Sequence, residues 1–192
     1  MSKEIAIVFG ASGFLGSHVA EALSSDGYQV RLFDCTPSDF KRSDQEMIVG
    51  DIMNMEDVTK AIQGASVVYN FAAIADIDEA NEKPLATAEV NILGNMNVLE
   101  ASRLSGVRRF IFASSVYVYS ESGSFYRASK QAAERFIETY QDRYGLDYTI
   151  LRYGSLYGRR TDDRNGIYRM LHEAIEQRSI TYKGSGEAIR EY

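Results

Sequence analysis

A tyrosine and a lysine stand four residues apart in the run Tyr126-Arg127-Ala128-Ser129-Lys130, a spacing that places both side chains on one face of a helix. A free tyrosine has a pKa of about 10, so only about one phenol in a thousand is ionised at pH 7. A fixed lysine cation stabilises the phenolate and brings the pKa of the phenol nearer to neutral pH. We therefore expect Tyr126 to act as a general base or acid, with Lys130 as its cationic neighbour.

A serine completes this group. Ser115 stands eleven residues before Tyr126 and follows the apolar run 110–113, which reads as a strand. We expect its hydroxyl to hold the substrate oxygen that gains or loses the proton. A Y-x-x-x-K pair also occurs by chance on helix surfaces, but here it follows a serine at a strand end and a glycine-rich loop. The sequence therefore predicts a catalytic group of Ser115, Tyr126 and Lys130.

The glycine-rich loop lies near the N-terminus. The apolar run 5–9 leads into Gly10, Gly13 and Gly16, spaced G-x-x-G-x-x-G, and an amphipathic segment follows. In such loops the first glycine permits a tight turn, the second lets the backbone approach a pyrophosphate, and the third lets helix pack closely on strand. The N–H groups that begin the helix then bind the anion. Ordinary strand-to-helix turns also contain glycines, but the acidic end of the next strand favours a nucleotide site.

That acidic residue is Asp34, 18 residues after Gly16 and at the end of the strand-like run 29–34. A carboxylate at this spacing accepts hydrogen bonds from ribose hydroxyls and repels a 2′-phosphate, which favours NAD over NADP. An aspartate that merely caps a turn is the alternative reading. Lys41 and Arg42 follow closely and keep NADP as a minor alternative.

The elements that must position these residues alternate between strand-like and helix-like patterns. We predict strands at 4–9, 29–34, 46–49, 66–72, 108–113 and 147–152, and helices at 14–25, 55–63, 84–105, 125–144 and 165–178. Nearly continuous apolar strands suit a parallel sheet that is covered on both faces. The expected architecture is an α/β fold with a doubly wound parallel sheet, the Rossmann fold, whose ligands lie beyond the carboxyl ends of the strands.

Composition excludes several other classes. The chain has 192 residues, 45% of them hydrophobic and 25% charged, as in a soluble globular domain. A net charge of −6 disfavours nonspecific binding to nucleic acid or membranes. Cys35 is the only cysteine and the two histidines are far apart, so we expect neither a disulfide framework nor a metal site. With no charged-then-apolar leader and no long apolar run, a cytoplasmic protein is expected.

With these motifs in place, the chain resembles the extended short-chain dehydrogenase/reductases, and specifically the NAD-dependent sugar-nucleotide epimerase/dehydratase family. The resemblance runs along essentially the whole sequence. It rests on six motifs in the family's order: Gly10 to Gly16, Asp51-Ile52, Phe71-Ala72-Ala73, Asn91 and Gly94 in an N-x-x-G helix, Ser115 with Tyr126 and Lys130, and Leu151 to Gly158, similar to R-Y-x-N-x-Y-G. Taken singly, Asp51 also reads as a helix cap and Asn91 as a buried structural amide.

The resemblance implies NAD as the cofactor and a nucleotide sugar, similar to a UDP-sugar, as the substrate. The implied cofactor-binding residues are Gly10, Ser12, Gly13, Phe14, Leu15, Gly16, Asp34, Asp51, Ile52, Phe71, Ala72, Ala73, Asn91, Tyr126, Lys130 and Tyr153. In such epimerases the tyrosine takes a sugar proton while the sugar carbon gives hydride to NAD, and hydride returns to the other face of a transient ketone. A dehydrogenase or reductase with the same residues is the first alternative, and a non-catalytic dinucleotide-binding protein the second. No nucleic-acid or membrane partner is expected, and a homodimer is left open.

The sequence also departs from the family pattern. Val116-Tyr117 stand where the dehydratases have an Asp-Glu pair, so elimination of water lacks its acid and base. Ser155 replaces the asparagine of R-Y-x-N, and the segment 116–125 is short. These differences predict an epimerase over a dehydratase and an unusual sugar pocket.

The last residues, Gly184 to Tyr192, resemble the family's G-x-G-x-x-x-R-x-(Y/F) segment, after which its members continue. We therefore expect a C-terminally truncated member of the family. The expected organisation is an NAD-binding domain over 1–158, which carries the catalytic residues, and the beginning of a substrate-binding region over 159–192.

Overall fold

Strands and helices alternate along the backbone of a computed structural model that describes residues 3–181. The strands are β1 (Ile5–Phe9), β2 (Gln29–Asp34), β3 (Glu46–Val49), β4 (Val67–Asn70), β5 (Arg109–Ser115) and β6 (Tyr148–Tyr153). The helices are α1 (Phe14–Ser25), α2 (Met55–Ile62), α3 (Ile77–Glu82), α4 (Pro84–Ala88), α5 (Asn95–Leu104), α6 (Ser124–Tyr144) and α7 (Gly166–Gln177). A π-helical turn (Glu89–Gly94) joins α4 to α5, and a 3-10 turn (Val116–Tyr119) follows β5.

The six strands form one sheet in the order β3-β2-β1-β4-β5-β6. The pairs β1–β2, β2–β3, β1–β4 and β4–β5 are all parallel. The order reverses between β1 and β4, which is the arrangement of a doubly wound α/β sheet and confirms the predicted fold. Because the strands are parallel, their carboxyl ends lie along one edge of the sheet, where ligands bind in this architecture.

Two apolar clusters explain why β1 is almost entirely hydrophobic. Ile7 and Phe9 belong to one cluster, which also holds residues of α2, α5 and α6. Ala6 and Val8 belong to the other, together with residues of α1 and β2. All four side chains are fully buried. Helices therefore cover both faces of the sheet, as its continuous apolar strands predict.

Three elements differ from the sequence expectation. The predicted helix 84–105 is divided by the π-helical turn, and β5 extends through Ser115, so Ser114 and Ser115 end the strand instead of following it. Helix α3 was not predicted. Asp76 caps it, and the Asp76 carboxylate accepts a hydrogen bond of 2.9 Å from the backbone N–H of Glu79.

The chain divides into two compact units, one that ends at Arg152 and one that begins at Tyr153. Within the second unit, Asn165 caps α7 by accepting a hydrogen bond of 3.1 Å from the backbone N–H of Tyr168. The predicted domain boundary at residue 158 stays a prediction. The segment from Gly184 to Tyr192 lies outside the described residues.

Within residues 3–181, no helix combines the length and the apolar character needed to cross a membrane. Within the same residues, no three histidine, cysteine, aspartate or glutamate side chains are grouped so that they could hold a metal ion.

The tightest backbone contact of the glycine loop generates a prediction. A Cβ atom on Gly16 would lie 2.1 Å from the carbonyl oxygen of Gly10, which is closer than two atoms can approach. We expect Gly16→Ala to lower the free energy of unfolding by about 1–3 kcal/mol, since the helix must move away from the loop. Urea denaturation measures this. Gly13→Ala is the control, because its Cβ would lie 3.4 Å from the same oxygen. Equal stability of the two variants would contradict the packing argument.

Candidate active site

The loop between β1 and α1 is fixed by contacts with two neighbouring strands. Gly10 has a φ of +74°, a conformation that side chains disfavour, and its N–H donates to the carbonyl of Phe33 over 2.9 Å. A Cβ on Gly10 would lie 2.6 Å from the backbone nitrogen of Ala72, in the segment after β4. Gly10 therefore makes the tight turn and Gly16 the close packing that the sequence predicts, and their contact with a cofactor stays a prediction.

The start of α1 is open. Gly13 is exposed, and among the described residues a Cβ there would meet only the Gly10 carbonyl oxygen within 4 Å. No described side chain caps α1, and its first turn, which begins with the half-buried Phe14 and Leu15, contains no acidic residue. The first N–H groups of a helix lack partners within the helix and carry partial positive charge. This cradle, which a side chain at Gly13 would fill, fits the pyrophosphate of a dinucleotide.

Asp34 ends β2 and connects the glycine loop to the next turn. One oxygen of its carboxylate accepts a hydrogen bond of 2.9 Å from the backbone N–H of Ser12. The other oxygen accepts a longer one, 3.4 Å, from the N–H of Thr36, and the Ser12 hydroxyl donates to the Thr36 carbonyl over 2.7 Å. Asp34 thus caps its own turn, as the alternative reading expects, and also lies beside the predicted phosphate loop, as the ribose-binding reading requires.

The two cations that kept NADP as an alternative have partners of their own. The Arg42 guanidinium pairs with Asp44 at 3.0 Å and donates to the Ser25 hydroxyl at 3.1 Å. The Lys41 ammonium donates to the backbone carbonyl of Arg42 at 3.2 Å. Neither contact leads towards Asp34, so the local electrostatics favour a ribose without a 2′-phosphate.

Asp51 and Ile52 follow β3. Asp51 is exposed, and its carboxylate accepts a hydrogen bond of 2.9 Å from the N–H of Met53. Asn54, and not Asp51, caps α2, since its side chain accepts from two N–H groups of the first turn. Ile52 is buried against the π-helical turn, where a Cβ on Gly94 would lie 2.9 Å from its methyl carbon. Their predicted contact with adenine stays a prediction.

Asn91 lies in the π-helical turn and is a buried structural amide with 2% of its surface exposed. Its nitrogen donates to the Ile74 carbonyl and to the Ser129 hydroxyl, each over 3.0 Å, and its oxygen accepts from the Ile74 N–H over 2.8 Å. The amide therefore ties the segment after β4 to α6. That segment begins with the half-buried Phe71-Ala72-Ala73, so the hydrogen bonds of Asn91 help to fix the segment that contains the predicted cofactor-lining residues.

The structure brings Ser115, Tyr126 and Lys130 together where β5 ends and α6 begins. Ser115 is buried, and its hydroxyl lies near enough to the Tyr126 phenol to influence the pKa of that phenol. The Lys130 ammonium lies 5.7 Å from the centre of the Tyr126 ring. Tyr153, the last residue of β6, belongs to the second unit, and its predicted cofactor contact stays a prediction.

Lys130 is a buried cation. Only 3% of its surface is exposed, and its ammonium donates to the Ala113 carbonyl over 2.8 Å and lies 4.7 Å from the centre of the Phe112 ring. Burial lowers the pKa of Lys130 to about 8, and the negative charge of Glu134 opposes that shift. A lysine whose pKa lies this close to neutral pH can change its protonation state when the charge of a neighbouring group changes during proton transfer.

The expected direction of the Tyr126 pKa is wrong for this structure. Burial raises the pKa of Tyr126 above its ordinary value, and the polar side chain of Ser115 opposes that shift only in part. A partly buried phenolate loses part of its hydration, and this cost outweighs the stabilisation that the spacing to Lys130 predicts. Tyr117 adds to the shift; its ring meets the Tyr126 ring edge-to-face with 6.5 Å between centres.

Sequence analysis missed a buried carboxylate beside this group. Glu134 is 2% exposed and pairs with Arg152 through contacts of 2.8 and 3.0 Å. It also accepts a hydrogen bond of 2.5 Å from the Ser114 hydroxyl. The available signal was its position four residues after Lys130, which extends the helix face of Tyr126 by one more turn.

This chain is similar to several known proteins over most of its length. A UDP-glucuronate 4-epimerase of Thermodesulfobacterium geofontis is 28% identical over 97% of this chain and 66% of its own length. The structure of UDP-glucose 4-epimerase from Thermotoga maritima with UDP-glucose aligns with a TM-score of 0.90 at 28% identity, covering 98% of this chain and 68% of that one. The structure of UDP-glucose 4-epimerase from Thermus thermophilus in complex with NAD aligns with a TM-score of 0.82 at 29% identity, covering 90% and 63%.

The chain spans about two thirds of the length of these relatives. Residues 6–192 match the model of the NAD dependent epimerase/dehydratase family, so the match includes the glycine loop, the carboxyl ends of β4 and β5, and α6. Since the sheet order, the open start of α1 and the grouping of Ser115, Tyr126 and Lys130 agree with that match, this chain belongs to the NAD dependent epimerase/dehydratase family.

Proposed function

We propose that this chain supplies the NAD-binding and proton-transferring part of an epimerase that acts on a nucleotide sugar, such as a UDP-sugar. The observation that carries the proposal is the group at the end of β5, where the partly buried Tyr126 lies beside the buried side chains of Ser115 and Lys130. This group lies at the same edge of the sheet as the open glycine loop, because β1, β4 and β5 run parallel.

Separate residues of the chain bind separate parts of the cofactor in this proposal. The start of α1 and Gly13 hold the pyrophosphate, and Asp34 accepts hydrogen bonds from the adenosine ribose. Lys130 donates to the second ribose and places a positive charge beside the phenol. Bound NAD would supply hydride chemistry: a hydride removed from the sugar carbon would be returned to the other face of the resulting ketone, so the sugar would undergo no net oxidation.

Proton transfer falls to two hydroxyl groups. Ser115 binds the sugar hydroxyl and orients it, and Tyr126 removes its proton at the phenol oxygen as the carbon is oxidised. Because burial raises the pKa of Tyr126, the phenolate needs the positive charge of Lys130 beside it when it acts as the base. The same phenol returns the proton when the ketone is reduced again.

Two observations support an epimerase over the other activities of the family. Val116 and Tyr117 stand where a dehydratase has an acidic pair, and Tyr117 packs against the Tyr126 ring instead of offering a carboxylate. The relatives described above are 4-epimerases of UDP-sugars by name.

Asp34 generates a prediction about cofactor choice. We expect the chain to bind NADH at least about tenfold more tightly than NADPH, because a 2′-phosphate would face the Asp34 carboxylate. Fluorescence titration gives both dissociation constants. Asp34→Asn should reduce the ratio of the NADPH to the NADH dissociation constant. The control Asp39→Asn, which changes an exposed aspartate in the loop after β2, should leave that ratio unchanged. Equal binding of NADPH by the unmodified chain would refute the assignment of Asp34.

Tyr126 generates a prediction about the chemistry. Tyr126→Phe keeps the ring but removes the hydroxyl, so in a full-length enzyme that contains this chain and epimerises a UDP-sugar, turnover should fall at least about a hundredfold while NADH affinity is retained. Nuclear magnetic resonance follows the sugars, and absorbance of NADH should stay flat throughout. A stoichiometric change of that absorbance would indicate a dehydrogenase, and an undiminished rate in the variant would exclude Tyr126 as the acid–base group.

Lys130 generates a prediction about stability. Its pKa is about 8 in the folded protein and 10.5 in the unfolded chain, so the unfolded chain carries more protons between these values and stability rises with pH there. This group should contribute a rise on the order of 3 kcal/mol across that window, and Lys130→Met should abolish it. Urea denaturation as a function of pH measures the difference. Lys60→Met, at an exposed lysine of α2, should keep the rise, and a rise that persists in Lys130→Met would disprove the assignment.

A further inference from the structure

Glu134 is a carboxylate that the fold buries and surrounds with donors. It lies in α6 with 2% of its surface exposed, and it accepts from the Ser114 hydroxyl at 2.5 Å and from two nitrogens of Arg152 at 3.0 and 2.8 Å. An isolated buried carboxylate would be strongly destabilising. Burial raises its pKa, but the hydrogen bonds from Arg152 and Ser114 outweigh burial and hold the pKa of Glu134 below its ordinary value. The group is therefore ionised at neutral pH.

The two residues that donate hydrogen bonds to Glu134 connect it to the chain on both sides of Ser115. Ser114 precedes Ser115 at the end of β5. Arg152, in β6, reaches from Glu134 to Tyr119 in the 3-10 turn that follows Ser115: its guanidinium donates to the Tyr119 hydroxyl and lies 4.9 Å from the centre of that ring. One carboxylate thus anchors the backbone before and after the serine that the proposed function uses to orient the substrate.

The same carboxylate lies one helical turn after the buried lysine on α6. The groups that act on Lys130 are Tyr126 and Glu134 from α6 and the Phe112 ring and Ala113 carbonyl from β5. Of these, only Glu134 carries a negative charge at neutral pH among the described residues. The charged groups around Glu134 itself are Lys130, Arg152 and the more distant Arg135. Glu134 is therefore the counter-charge that keeps the Lys130 ammonium protonated in a buried place.

We infer that Glu134 is a positioning residue of the active site: its carboxylate fixes Ser114 and Arg152 around Ser115 and supplies the counter-charge of Lys130. This rests on the proposed function for the roles of Ser115 and Lys130. It adds a residue that touches neither sugar nor cofactor and acts through its neighbours. Without its charge, Lys130 deprotonates at a lower pH and no longer supports the phenolate of Tyr126.

The test follows the titration of Lys130 with two readouts. The first is the dissociation constant of NADH measured by fluorescence from pH 6 to pH 10, in which affinity should weaken with a midpoint near pH 8, the pKa of Lys130. The second readout needs no cofactor. It is the pH dependence of the free energy of unfolding, measured for each protein and for a version of that protein that also carries Lys130→Met. In Glu134→Gln we expect both midpoints to fall by at least about one pH unit, since an opposite charge at close range shifts a pKa by that much or more.

Two variants separate charge from shape. Glu134→Asp keeps the charge, so its midpoint should stay that of the unmodified chain. Glu138→Gln removes a partly exposed glutamate one turn further along α6, where it pairs with Arg135, and should also leave the midpoint in place. If Glu134→Gln does not fold, Glu134→Asp decides: an unshifted midpoint supports the inference and a lowered one overturns it.

The outcomes also distinguish this inference from the proposed function. Absence of NADH binding by the unmodified chain would refute the proposed function, and the unfolding profiles would still report the charge of Lys130. An unchanged midpoint in a folded Glu134→Gln variant would overturn the inference, whatever the affinity for NADH.

Discussion

The structure depends on the burial of two opposite charges where α6 packs against β5. Lys130 and Glu134 lie one helical turn apart, and both are almost completely removed from water. Burying either charge alone would cost several kcal/mol, so each must find partners nearby. Those partners are the Ala113 carbonyl, the Ser114 hydroxyl and the Arg152 guanidinium, and they fix the helix to two strands. These contacts between α6 and the two strands determine the position of Tyr126 relative to Ser115.

A second constraint, steric and not electrostatic, operates at the other end of the site. Gly10 is pressed against Ala72 and Gly16 against Gly10, so β1, α1 and the segment after β4 meet without intervening side chains. Asn91 then joins that segment to α6 through Ile74 and Ser129. The glycine loop and the proton-transfer group are thus connected through a short chain of backbone contacts and one buried amide.

Local patterns made much of this predictable. The strands, the glycine loop and the Tyr126–Lys130 pair are encoded in short runs of sequence, and their positions agree with the structure. Glu134 was missed because its role depends on Arg152, 18 residues away, which only the folded chain brings beside it. The direction of the Tyr126 pKa was wrong for the same reason: burial is a property of the tertiary structure, and helical spacing carries no measure of it. Helix 84–105 is divided at the turn that contains Asn91, and periodicity cannot reveal the contact of Asn91 with Ile74.

The hydrogen bond between Asp34 and the N–H of Ser12 has a consequence for protein engineering. The residue that is expected to choose between the two nicotinamide cofactors is also the acceptor that closes the phosphate loop onto β2. Replacing it with a small neutral residue, the usual first step in reversing such a preference, would leave an N–H of the loop without its acceptor. Cofactor selectivity and the geometry of the phosphate loop therefore both depend on this one side chain. A redesign that changes the selectivity must also supply a new acceptor for the Ser12 N–H.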